Sequence, residues 1–229
     1  RRRTLQRNKR YISRVVCFHQ IPSLADFAHK LQILKENYNL IALRDIFDPT
    51  KLSDTKTNVA ITFDDGFIDQ VKVAVPILRD LGINATFFLP SGCMGLPAGE
   101  AKRFYKDRVG IPSERAVSPG EVADLAREPL MEVGSHSRSH QDLGKVEREE
   151  VLWEEISGSK KDLEAVVGVA VTWFAYPFGG ATNYSSEAIQ VLEKAGFEGA
   201  FTIVPGFNFL DSDRFQLHRD SLDPSMNDL

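Results

Sequence analysis

Two short stretches carry residues that could do hydrolytic chemistry together. In the first, Asp64-Asp65-Gly66, two carboxylates follow the apolar run Val59-Ala60-Ile61-Thr62-Phe63. Adjacent acids beside a buried strand are unfavourable unless something compensates them. Asp and Gly are also common turn residues, so a plain turn is the competing reading. The second stretch is His136-Ser137-Arg138-Ser139-His140, which holds two of the chain's five histidines. A spacing of four puts both on one side of a helical turn, where they could chelate one ion. Two exposed histidines at a helix start is the alternative. Two nitrogens and one oxygen are a common zinc ligand set that leaves a position for water. Spacing does not tell whether Asp64 or Asp65 is the ligand. The other carboxylate would lie near the water and could accept its proton, while the ion acidifies water and polarises a carbonyl. Tyr176-Pro177-Phe178-Gly179 could add a backbone N–H for an oxyanion, or be only a turn.

The elements that must position these groups alternate. Strands are expected at Ser13 to Phe18, Leu40 to Leu43, Val59 to Gly66, Ile83 to Leu89, Leu130 to Val133, Val169 to Tyr176 and Gly199 to Val204, with a last candidate at Phe215 to His218. Between them lie helical patterns. Ser23 caps one in which Leu24, Phe27, Ala28, Leu31 and Leu34 share a face. Val71, Val75, Leu78 and Leu81 mark another, stopped by Gly82 and interrupted by Pro76, either as a kink or as the start of a second helix. Ser118-Pro119-Gly120-Glu121 reads as a capping box. Glu147 to Val167 reads as a long charged helix and Ser185 to Ala195 as a shorter one. Residues 90–119 break the rhythm and are expected to form an insertion or lid with one short helix at Glu100 to Arg108. Polar residues recurring at strand ends favour a parallel barrel-like or doubly wound α/β sheet in one domain.

The 229 residues suit such a domain. A formal net charge of -4 gives no argument for nucleic-acid binding. No apolar run is long enough to span a membrane. Segment 1–12 is strongly basic and is expected to be a mobile terminus ahead of a domain over 13–229. No signal-peptide core is visible in it. Cys17 and Cys93 form no metal or redox motif, and Cys17 reads as a small core residue. The pattern sets no oligomeric state.

With these motifs in hand, the chain resembles the polysaccharide deacetylases, the carbohydrate esterases that share the NodB homology domain. Thr62-Phe63-Asp64-Asp65-Gly66 matches that family's first motif. His136 to His140 matches its second, and Tyr176-Pro177-Phe178-Gly179 most of its third. Pro76-Ile77-Leu78 and Gly82 to Phe88 are also similar. The resemblance implies a distorted (β/α) barrel with fewer than eight regular strands. It implies Asp64 as general base, and Asp65, His136 and His140 as ligands of one divalent ion, expected to be zinc. It implies the Phe178 amide as an oxyanion donor. The reaction implied is metal-dependent removal of N-acetyl groups from an acetylated amino-sugar glycan, with the base activating metal-bound water. A cell-envelope or extracellular setting goes with that substrate.

Two departures matter. Ala175 stands where many members carry an Arg that orients the base, and Arg219 is the candidate to replace it. The late Leu-x-His motif is displaced, since Leu217-His218-Arg219 has its His one place early. Cys17-Phe18-His19 instead resembles an early Tyr-His element of the subgroup that includes poly-β-1,6-N-acetylglucosamine deacetylases. His19 is therefore expected as general acid in preference to His218. No Trp-bearing fourth motif stands out, and Trp153 and Trp173 read as core. The alternatives are an enzyme of the same fold acting on O-acetyl esters or small cyclic amides, and a catalytically weak carbohydrate-binding relative.

Overall fold

The computed structural model describes residues 11–222. Most of the basic terminal segment therefore lies outside the described residues. The strands are β1 (Ser13–Phe18), β2 (Asn39–Leu40), β3 (Asn58–Asp64), β4 (Ala85–Leu89), β5 (Met131–Ser135), β6 (Trp173–Ala175), β7 (Gly199–Phe201) and β8 (Asp220–Ser221). The helices are α1 (Leu24–Asn37), α2 (Val75–Leu81), α3 (Ala98–Phe104), α4 (Pro119–Arg127), α5 (Glu149–Trp153), α6 (Ser159–Val167) and α7 (Ser186–Lys194). Strand order is β7-β6-β5-β4-β3-β1-β8, with β2 also pairing β3. Every strand pair is parallel. Helices between parallel neighbours cover the outside, the arrangement expected of a distorted barrel. β2 and β8 are only two residues each, so fewer than eight strands are regular.

Strand alternation divides the core in two. Val59, Ile61, Phe63, Phe87, Val133 and Phe174 face the helices. Val15, Ala60, Phe88, Trp173, Ala175 and Phe201 fill the barrel interior. All seven residues of β3 are buried, as befits a central strand. The curled sheet is bridged by Leu217–Leu222. Leu217 pairs with Phe201 of β7, and Asp220 and Ser221 pair with Val16 and Cys17 of β1. Arg219 lies between these two attachments.

Several expectations shift at element ends. Ser23 caps α1 through the Asp26 amide, but Leu24 is exposed and only Phe27, Leu31 and Leu34 are buried along the helix. The strand expected at Leu40 to Leu43 stops at Leu40, and Leu43–Asp45 makes a 3-10 turn. Of the two readings of Pro76 the second holds: it stands in the first turn of α2, which follows a π turn at Gln70–Ala74. The long helix is α5 and α6 joined by a π turn, Glu154–Gly158. The strand expected from Val169 starts only at Trp173, and the last strand lies at Asp220 rather than Phe215 to His218. For the strands, the limits follow the pairing with a neighbour. The capping box at Ser118 and Glu121 forms as expected. Trp173 is buried in the inner core, and Trp153 packs on the edge of the outer one. Among the described residues, no helix is long and apolar enough to cross a membrane.

Candidate active site

β3 delivers Asp64 and Asp65 at its C-terminal end. Asp64 has the same parity as Ala60 and so belongs to the barrel interior, where it is 2% exposed. Arg219, 1% exposed, meets it there in two parallel bonds: Nη1 donates to Oδ1 and Nη2 to Oδ2, each at 2.7 Å. The guanidinium is itself held. Its Nε donates to the Thr202 carbonyl at 2.8 Å, and Nη1 also reaches Thr62 Oγ1 and Cys17 Sγ. The Phe88 ring lies 5.4 Å from its centre. Cys17 is thus buried, but as part of the Arg219 cradle rather than as apolar filling alone. Burial by itself would raise the Asp64 pKa; the Arg219 charge, its hydrogen bonds and the nearby His136 and His19 together outweigh it and hold the carboxyl below its usual range.

Asp65 departs from the strand into the left-handed region, with φ of 75°, and Gly66 follows at 67°. Asp tolerates this better than most residues, at a strain of about 1–3 kcal/mol. The turn aims Asp65 at the two histidines. Its Oδ1 lies 3.4 Å from His136 Nε2 and 3.2 Å from His140 Nε2. The other ring nitrogens are engaged by main chain: His136 Nδ1 with the Ala175 carbonyl at 2.8 Å, His140 Nδ1 with the Arg108 carbonyl at 2.9 Å. A carbonyl only accepts, so each Nδ1 is the donor and Nε2 is the ring nitrogen turned toward Asp65. Asp65 Oδ1 is buried and receives no hydrogen bond. A buried carboxylate oxygen with two imidazole nitrogens turned on it is a ligand set that fits a cation. Their ligand atoms all lie within 4.8 Å of one another. The chain thus carries a divalent-metal site, and Asp65, His136 and His140 are the residues that can form it.

The histidine pair does not sit on a helical turn, as its spacing suggested. Ser137 and His140 have φ of 62° and 54°, and the five residues form an irregular loop. Tertiary hydrogen bonds replace helical ones. The Leu89 carbonyl accepts from the His136 amide, and the Gly92 amide donates to the Arg138 carbonyl. A Cβ on Gly92 would lie 2.6 Å from that oxygen. Buried Glu155 accepts from the Arg138 amide at 3.1 Å, the Ser139 amide at 2.8 Å and Ser139 Oγ at 2.5 Å. Gly134 makes room for the Phe88 ring, which a Cβ there would meet at 2.5 Å.

These groups line a cavity of about 400 Å3, open mouth included, which also touches His19, Phe178 and Arg219. His218 lies elsewhere, its Nδ1 near the Val204 carbonyl in a separate groove. Phe178 is half-exposed with φ of 62°, and its ring packs edge-on to His140 at 4.8 Å. Ala175, where an Arg was looked for, lies in the inner core, and its carbonyl serves His136. Gln70 ties the ends of β1 and β3 together, its Nε2 donating to the His19 and Asp64 carbonyls at 2.8 and 2.5 Å.

The sequence profile described as polysaccharide deacetylase matches residues 51–200. The chain belongs to the polysaccharide deacetylase family. Asp64, Asp65, His136, His140 and Phe178 fall inside the matched span, and His19 and Arg219 outside it. YxkH of Bacillus subtilis is 26% identical over 169 residues, covering 74% of this chain and 53% of YxkH. The chain thus spans about half the length of that relative. Two solved structures share the polysaccharide deacetylase fold seen here. Streptococcus pyogenes PplD, a deacetylase in complex with acetate, superposes with a TM-score of 0.76 at 20% identity over 94% of each chain. IcaB of Ammonifex degensii gives 0.75 at 21% identity, covering 94% of this chain and 93% of IcaB.

Sequence reading did not single out Tyr105, Glu155 or Gln70. Gln70 follows the Asp64-Asp65-Gly66 motif closely enough to have drawn notice. Tyr105 and Glu155 sit in helical patterns where nothing marks them apart from ordinary helix residues.

Proposed function

We propose that the protein is a metal-dependent N-deacetylase of an amino-sugar polymer or oligomer. The observation that carries this reading is a buried carboxylate, Asp64, sharing one cavity with three convergent ligand groups. Asp65, His136 and His140 would hold the ion, with zinc the best match to a two-nitrogen, one-oxygen set. Bound there, it supplies Lewis acidity, lowering the pKa of water and polarising the acetyl carbonyl. Asp64, kept ionised by Arg219, accepts a proton from the attacking water. The Phe178 amide donates to the acetyl oxygen as negative charge develops on it. His19 protonates the leaving sugar nitrogen as the C–N bond breaks, leaving acetate and a free amine. Val109, Ile111, Tyr176 and Ile203 give the cavity apolar surface suited to an acetyl methyl group. Val109 and Ile111 come from segment 90–119, which we read as an insertion that walls the site.

The acetate held by PplD, which shares the fold, supports deacetylation over attack on a ring amide. His19 in the cavity, with His218 outside it, favours a substrate of the poly-β-1,6-N-acetylglucosamine type, and with it a setting at the cell envelope or outside the cell. The test is acetate release by the metal-loaded protein from β-1,6-linked N-acetylglucosamine oligomers, from chitin oligomers and from an O-acetylated sugar. Acetate with matching free amine from the first supports the reading. Faster turnover of the ester overturns N-deacetylation, and no release from any of the three overturns the enzyme reading.

A further inference from the structure

Helix α3 runs on through a π turn, Tyr105–Val109, and ends at Gly110 with φ of 84°. Carbonyls in a last helical turn have no partner within the helix. Here the Arg108 carbonyl takes His140 Nδ1–H at 2.9 Å. One turn earlier, the fully buried Tyr105 side chain reaches in the other direction. Its hydroxyl lies 3.1 Å from the Asp65 carbonyl and 2.9 Å from the Gly66 carbonyl, positioned to share its proton between them. Its ring stacks on Phe67 at 4.9 Å, and Phe67 bridges to Ala116 at the far end of the same segment. One turn of helix therefore grips two of the three ligand residues, His140 at its ring and Asp65 through its turn. It does so at main-chain atoms of consecutive left-handed residues, Asp65 and Gly66, whose conformation sets where the Asp65 carboxylate points. Without the hydroxyl, two buried carbonyls would lose their donor and the turn could relax.

We propose that Tyr105 is a positioning residue that sets the affinity of the site for its divalent metal by holding the Asp65-Gly66 turn. The inference rests on the metal reading of Asp65, His136 and His140. Outer partners of this kind typically change metal affinity by about 10–100-fold.

The test is Tyr105→Phe, which keeps the ring and removes only the hydroxyl. Zn2+ affinity is measured by chelator competition, and the ligand geometry by the visible spectrum of the Co2+ form. The variant should bind Zn2+ at least about 10-fold more weakly than the parent and show an altered Co2+ spectrum. A residue that only stabilised the fold would lower the melting temperature of the metal-free protein and leave affinity and spectrum as in the parent; that result overturns the inference. Hydrogen exchange on the unaltered protein is the second measurement, and it stands should the variant not fold. Adding Zn2+ should slow exchange in residues 98–110 and leave α7 unchanged, and equal exchange with and without Zn2+ in 98–110 overturns the inference. A parent that binds no Zn2+ or Co2+ sinks the metal reading and this inference with it, whereas tight binding by both parent and variant sinks the inference alone.

Discussion

Arg219 meets Asp64 head-on, each of two guanidinium nitrogens 2.7 Å from its own carboxylate oxygen, across 155 positions of sequence. Both side chains are buried, and each offsets the desolvation of the other. The pair also fixes the carboxylate plane, which a single contact would not.

Removing one partner should therefore do more harm than altering the pair. Arg219→Ala leaves a buried unpaired carboxylate, and should lower stability by about 3–5 kcal/mol. Arg219→Lys keeps the charge but not the fork. It should fold and lose activity, with kcat falling more than KM changes. Denaturant titration and steady-state kinetics check both, and a Lys variant with parental kcat would show that two-point orientation is not needed.

Glu155 touches no substrate-facing group, yet it holds the loop between the two histidines through three hydrogen bonds. Hydrogen bonds to a charged acceptor each contribute about 1.5–3 kcal/mol. Glu155→Ala should lower stability by roughly 3 kcal/mol and weaken Zn2+ binding, while Glu155→Gln should fall between it and the parent. Thermal melts with and without Zn2+ measure this. The stabilisation by added metal should shrink in the order parent, Gln, Ala.

His19 shares the cavity with Asp64, and His218 does not. His19→Ala should lower kcat by about 10²–10⁴-fold, the span of general acid–base catalysis. His218→Ala should change it by less than about threefold, since catalysis of that size needs contact with the reacting atoms. Acetate release at saturating substrate decides it, and the reverse order would assign the acid to His218.

Far from the site, the Glu121 capping box sets a pH dependence of stability. Burial would raise the Glu121 pKa, but Lys72, both donors of Ser118 and Arg115 outweigh it and lower it to about 2 from 4.5. The folded value is the depressed one, so the contribution is full above about pH 5 and is lost as pH falls toward about 2. Parent and Glu121→Gln should differ most in stability near neutral pH and converge through that window. Ser118→Ala should lower stability by about 1 kcal/mol through the lost N-cap. Urea titrations at pH 7, 4 and 3 would show the convergence, and a difference independent of pH would contradict it.

Local chemistry made much of this protein legible from its residues alone. A β3-type run of branched and aromatic residues can only be a buried strand, and acids at its end must be compensated. The His136 and His140 spacing, the Ser118 box and the Gly82 stop are likewise readable because neighbours in sequence produce them. The helical turn drawn from the His spacing was not correct. Glu155, the Leu89 carbonyl and the Gly92 amide satisfy that loop from outside, and local periodicity cannot register them. The same holds for Tyr105, and Arg219 was legible only as a stand-in for the Arg missing at Ala175. Each acts on Asp64 or Asp65 only after the sheet curls, β7 and β1 come within reach of Leu217–Leu222, and α3 folds down over the turn. Residue types and spacing determined the set of groups that could hold a metal and move a proton. Tertiary structure brought Arg219, in sequence only a candidate to replace the Arg missing at Ala175, beside the base, because the contact is made by strand pairing and interior side-chain parity rather than by proximity along the chain.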